Sequence, residues 1–69
     1  MAGRDGASRV EFADVEVVSA NNLVLICRVG DRTVAVPASR ILPGTEVEHA
    51  GDRGRLVIRR ELALNLGLI

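Results

Sequence analysis

GRLVIRRELALNLGLI, residues 54–69, supports two readings of its second half. Leu62, Leu64, Leu66 and Leu68 fall on every second residue, the spacing of a half-buried strand. Against that, no β-branched residue occurs between Arg59 and Leu68, and Glu61, Leu62, Ala63 and Leu64 are strong helix formers. Gly67 stands where a left-handed residue would end a helix, so that Leu68 can pack back on Leu62 or Ala63 as in a Schellman ending. Propensity and capping outweigh the alternation, and a two-turn helix is expected near residues 60–66. At 100° per residue, Leu62, Leu66 and Ile69 share one side of that helix while Leu64 and Leu68 lie nearly opposite. One side can cover the domain, and the other is expected to meet a second copy of the chain.

Working back from there, the rest reads as short strands and tight turns. RLVIR (55–59) is a strand with Leu56 and Ile58 inward, and EVEH (46–49) a brief one with Val47 inward. RTVAVP (32–37) points Val34 and Val36 inward, and Pro37, which has no N–H to donate, ends its ladder. Gly30-Asp31 is a tight turn, ASRILPGT (38–45) an irregular one. NLVLICRV (22–29) is apolar on both faces and reads as a central strand. VEFADVEVV (10–18) alternates, with a phase slip at Ala13-Asp14 of the kind a β-bulge produces. The expected fold is therefore all-β: a single small barrel of about five strands, SH3-like or of swapped-hairpin type, over residues 9–69 with its short C-terminal helix. The Gly-rich, aperiodic residues 1–8 are expected to form a flexible arm.

Composition narrows the chemistry. At 69 residues the chain buries only about 60% of its unfolded surface and needs support. Cys27 is the only cysteine and His49 the only histidine, so neither a disulfide nor a four-ligand zinc site can supply it. Oligomerisation is the remaining route, and a homodimer or higher oligomer through Leu64 and Leu68 is expected. Phe12 is the only aromatic residue, which leaves a core of Val, Leu and Ile. The absence of a long apolar run or signal-like segment points to a cytoplasmic, bacterial-type protein with a reduced thiol.

An enzyme is not expected from these residue types. Ser8, Ser19 and Ser39 have no base except His49, which sits at a turn beside Glu48. No phosphate-cradling glycine loop precedes a helix. No catalytic residue, metal, cofactor, membrane or small-molecule substrate is therefore expected. Net charge is zero, yet all nine basic residues are arginine, and residues 32–69 hold six of them. Arg53, Arg55, Arg59 and Arg60 cluster along the last hairpin, with Arg55 and Arg59 outward beside Val57, and are the candidate contacts to duplex DNA. Base stacking is not expected without aromatic platforms. A non-enzymatic binding module follows in either of two forms: a DNA-associated regulator resting on those arginines, or a protein-interaction or accessory subunit resting on the terminal leucines.

Two resemblances bear on this. Gly54, Arg55, Ile58, Glu61, Leu62, Leu66, Gly67 and Leu68 fit a signature that resembles that of AbrB/SpoVT-type regulators and MazE-type antitoxins. The resemblance implies a swapped-hairpin barrel dimer that binds DNA through arginine, a role that carries over to Arg55. The family's proline is Arg59 here, and its helical arginine is Ala63. Residues 22–68 are also similar to short uncharacterised bacterial and phage proteins. Val34, Val36, Pro37, Ser39, Ile41, Gly51, Asp52, Leu56, Ile58, Leu62, Ala63, Gly67 and Leu68 match their pattern, with Ala35 and Glu61 in place of its two tryptophans. That similarity implies the β fold and the terminal helix. Within the chain, GDRTVAVPASRIL (30–42) and GDRGRLVIRREL (51–62) echo one another, each a turn, a strand and a short helical or turn segment.

Overall fold

The computed structural model describes residues 8–69. The arm expected at residues 1–8 lies outside the described residues apart from Ser8, whose carbonyl accepts a 2.8 Å hydrogen bond from the Arg60 backbone N–H. Strands β1 (Arg9–Ala20), β2 (Val24–Val29), β3 (Arg32–Pro37) and β4 (Arg53–Arg59) precede helix α1 (Arg60–Asn65). They form one antiparallel sheet in the order β3-β2-β1-β4. The fold is thus small and all-β with one short terminal helix. The two echoing segments supply its two edge strands, and the doubly apolar β2 lies inside, as expected.

The long β1 pairs with β4 through its first half and with β2 through its second. What lets it serve both is the irregularity between Phe12 and Val15, where Asp14 takes a φ of +57°. Asp is one of the few non-glycine residues that tolerate this left-handed conformation. After the bulge, Val15 and Val17 point into the core that Val10 and Phe12 flank. The alternation slip is therefore a sound signal. At the next turn, the Asn21 side-chain oxygen accepts the N–H groups of Leu23 (2.8 Å) and Val24 (2.9 Å), which starts β2. Gly30, with φ +63°, takes the first central position of the two-residue β2–β3 turn. Pro37 ends β3, and a 3₁₀ turn (Ala38–Arg40) follows.

The expected strand at residues 46–49 is not one. Ile41 makes a single bridge to Ile58, and residues 42–46 then run along the outer edge of β4, meeting its N–H groups with side-chain oxygens and its carbonyls largely with backbone N–H groups. The Thr45 hydroxyl accepts from the Val57 N–H at 2.9 Å and donates to its carbonyl at 3.3 Å. The Glu46 carboxylate accepts from the Arg55 N–H at 3.0 Å, while the Glu46 N–H donates to the Arg55 carbonyl at 2.8 Å. Val47 is nonetheless buried, as its alternation implied.

Helix α1 ends as its sequence dictates. Leu68 N–H donates to the Ala63 carbonyl (2.9 Å) and Gly67 N–H to that of Leu64 (3.1 Å), the paired bonds of a Schellman motif with Gly67 at φ +75°. Ala63 is fully buried, and Leu62, Leu66 and Leu68 pack beside it on the core of Val15, Val17, Leu25, Cys27, Val36, Val47, Leu56 and Ile58. The helical wheel placed Leu68 with Leu64. That geometry stops at Asn65, because Gly67 turns the chain and brings Leu68 back inward. Leu64 (52% exposed) and Ile69 (51%) are left facing outward.

Candidate nucleic-acid interface

The four arginines at 53, 55, 59 and 60 do not form one surface. All are exposed, but they stand at opposite ends of β4. Between them lies Val57, expected outward and in fact only 1% exposed, because residues 42–45 cover it. At the first end, Arg53 stands opposite Glu16 and Gly54 opposite Val15. Glu16 also pairs with Arg28 at 3.5 Å, and the Arg55 guanidinium lies 3.8 Å from Glu11. These pairs are solvent-exposed, so each contributes little, but this end is electrostatically mixed.

The second end is different. Arg9 and Arg59 stand directly opposite one another in the β1–β4 ladder, and Arg60 follows at the helix start. Like charges facing across strands are unfavourable. Among the described residues, no carboxylate comes within ion-pair distance of Arg9, Arg59 or Arg60. Arg9 donates to the Pro43 carbonyl at 2.9 Å, which holds its guanidinium across the strand ends. Ser8, Arg9, Leu42, Pro43 and Arg59 line a shallow pocket there of about 230 Å³. Sequence reading missed Arg9, since its partnership with Arg59 arises from pairing the first strand with the last. The available signal was that Val10 and Ile58 are the outermost inward residues of their strands, each flanked by an arginine.

The turn that precedes β4 holds Asp52 and His49. Asp52 accepts the N–H groups of Glu48 (3.0 Å) and His49 (2.9 Å), and these bonds hold its carboxyl below the usual carboxylate range. His49 is exposed in that turn, 3.8 Å from Glu48 and Asp52. Among the described residues no group of His, Cys, Asp and Glu could hold a metal ion. None of their helices is long and apolar enough to cross a membrane. No family model, curated protein or solved structure matches the chain.

Cys27 is completely buried between Val17 and Val34, its neighbours in the ladders, and burial pushes its thiol above the usual 9.0. With the folded value raised, the unfolded chain gives up this proton first. The stabilisation is whole below about pH 9 and is lost as pH rises toward the folded value. The sequence has no Tyr and no Lys, so Cys27 is the only side chain titrating between pH 8.5 and 11. Urea midpoints should therefore fall from pH 8.5 to 11 in the wild type and stay nearly level in Cys27→Ala. Parallel slopes for the two proteins would refute the assignment.

Proposed function

We propose that this chain is a non-enzymatic binding module that takes the phosphate backbone of duplex DNA against Arg9, Arg59 and Arg60. The observation that carries this is the opposed pair Arg9 and Arg59, like charges held together with no carboxylate at ion-pair distance among the described residues. A phosphodiester relieves that repulsion, and guanidinium groups match its oxygens in bidentate fashion. Arg53 and Arg55 are weaker candidates than Arg59 and Arg60, because Glu11 and Glu16 stand beside them. The AbrB-like signature at residues 54–68 favours the same class of partner, with the phosphate placed at the other end of β4 from Arg55. The fold is read as an SH3-like barrel whose fifth wall segment is residues 41–46, supported by their bonds to β4. Among the described residues the Cys27 thiol is buried and His49 is exposed in a turn beside Glu48 and Asp52, which favours binding over turnover.

A gel-shift titration against random-sequence duplex at 50 and 200 mM salt tests the proposal. Affinity should fall with salt. Arg59→Ala with Arg60→Ala should flatten the log–log slope by roughly 0.9 for each phosphate that is no longer neutralised, about 2 in all. Arg53→Ala should alter it little. Absence of a shift at low salt, or a slope the double variant leaves unchanged, overturns the reading.

A second reading has one observation in its favour. Leu64 and Ile69 are each about half exposed at the terminus, an apolar surface suited to a protein partner or accessory role. Binding through it would be indifferent to salt, which separates the two in the same titration series.

A further inference from the structure

The sheet has two edges, and the fold treats them differently. Along β4 the outward N–H and C=O groups of Arg55 and Val57 are all taken up by residues 42–46. Along β3 no described residue does the same. Arg32, Val34 and Val36 stand opposite Val29, Cys27 and Leu25. In an antiparallel ladder, pairs that exchange both hydrogen bonds alternate with pairs that exchange none. The two-residue turn makes Val29 and Arg32 a bonded pair, and the Ala38 N–H to Leu23 carbonyl bond (2.9 Å) keeps that alternation in phase. Thr33, Ala35 and Pro37 therefore direct their backbone groups away from β2. Among the described residues the outward groups of Thr33 and Ala35 have no backbone or side-chain partner and both residues are exposed, while the Pro37 carbonyl opens the 3₁₀ turn. An open edge of this kind is a template for another strand.

We propose that the strand which pairs there is β3 of a second copy, antiparallel and two-fold symmetric about Ala35. The edge is complementary to itself. Ala35 meets Ala35 of the second copy, giving and taking one bond each with only methyl groups at the axis. Thr33 meets the second copy's Pro37, so the missing proline donor falls at the periphery, and the carbonyl there, which also opens the 3₁₀ turn, accepts the Thr33 N–H on its second lone pair. Val34 comes beside the second copy's Val36 on the core face, which covers a valine that is only half-buried in one chain. An antiparallel arrangement also brings the Asp31 end of one strand alongside the Arg40 end of the other, and neither residue has an ion pair within its own chain among the described residues. An unrelated strand would have to supply each of these matches. A second copy has them by symmetry, and it supplies the support that a chain of this size lacks. This surface is separate from the arginine end and does not rest on the DNA reading.

Sedimentation velocity over a range of concentrations, paired with amide exchange, tests it. The chain should sediment as a dimer that dissociates on dilution. The Thr33 and Ala35 amides, which have no acceptor among the described residues, should be protected in proportion to the dimer. Ala35→Pro removes only an outward N–H, a change edge strands tolerate, and should give a folded monomer. Leu64→Asp should leave the dimer intact. A monomer at every concentration overturns the proposal. So does a dimer whose Thr33 and Ala35 amides exchange freely, or one that dissolves with Leu64→Asp and survives Ala35→Pro. Should Ala35→Pro fail to fold, the wild-type exchange rates decide alone.

Discussion

Ile58→Ala should cost about 2–5 kcal/mol, enough to leave the domain largely unfolded near physiological temperature. Ile58 is fully buried and is gripped from both sides, opposite Val10 in β1 and bridged to Ile41 on the other edge of β4. With backbone fixed on each flank, the walls cannot collapse into the space left by the side chain. Nor can a neighbour swing in to fill it, because the core is almost entirely β-branched and short aliphatic side chains with few rotamers. The loss falls on a domain whose size puts it at the low end of the 5–15 kcal/mol typical of native proteins. Thermal unfolding followed by circular dichroism should show the midpoint falling by at least roughly 8 °C, given about 4–8 °C per kcal/mol for a chain this short. Ile58→Val should cost only about 0.5–1.5 kcal/mol. Equal midpoints for Ile58→Ala and the wild type would mean that β4 is not the centre of the core.

Legibility in the sequence followed the range of the interactions concerned. The Schellman ending at Gly67, the bulge at Asp14 and the turn at Gly30 are set by residues within a few positions of each other, and all three were visible. The leucine faces were readable only as far as the helix extends. Leu68 obeys the capping motif rather than the wheel, because a left-handed residue intervenes. The arginine cluster divides for another reason. Proximity along β4 says nothing of what lies across the ladder, and there Arg53 and Arg55 meet glutamates while Arg59 meets Arg9. Charge patterns on edge strands are read correctly only once the partner strand is known, and no local signal announces that β1 returns to β4. The outward Thr33 and Ala35 groups, unpaired among the described residues, could likewise not be read, since they are defined by the absence of a neighbour.

The fifth strand failed on chemistry that a hydrophobic pattern does not encode, and this leads to the second large effect. Thr45→Val should destabilise the domain by about 1–3 kcal/mol, although it replaces one β-branched side chain by another of nearly the same shape. The Thr45 hydroxyl both accepts from the Val57 N–H (2.9 Å) and donates to the Val57 carbonyl (3.3 Å), doing with one oxygen what a paired strand residue does with two backbone groups. A valine methyl can do neither. The Val57 carbonyl would keep its bond from the Leu42 N–H at 3.0 Å, but the Val57 N–H, in a residue only 1% exposed, would have no acceptor and no water. An orphaned buried donor carries its full desolvation cost, which exceeds what the added methyl returns. Thr45→Ser keeps the hydroxyl and should lose about 0.8 kcal/mol or less, the value of a methyl-sized group only partly buried. Urea midpoints rank the three proteins, and the exchange rate of the Val57 amide identifies the cause. It should rise in Thr45→Val and stay near wild type in Thr45→Ser. If the valine variant matches the wild type in both, the 42–46 segment does not hold the β4 edge, and that edge would then be as open to a second strand as β3.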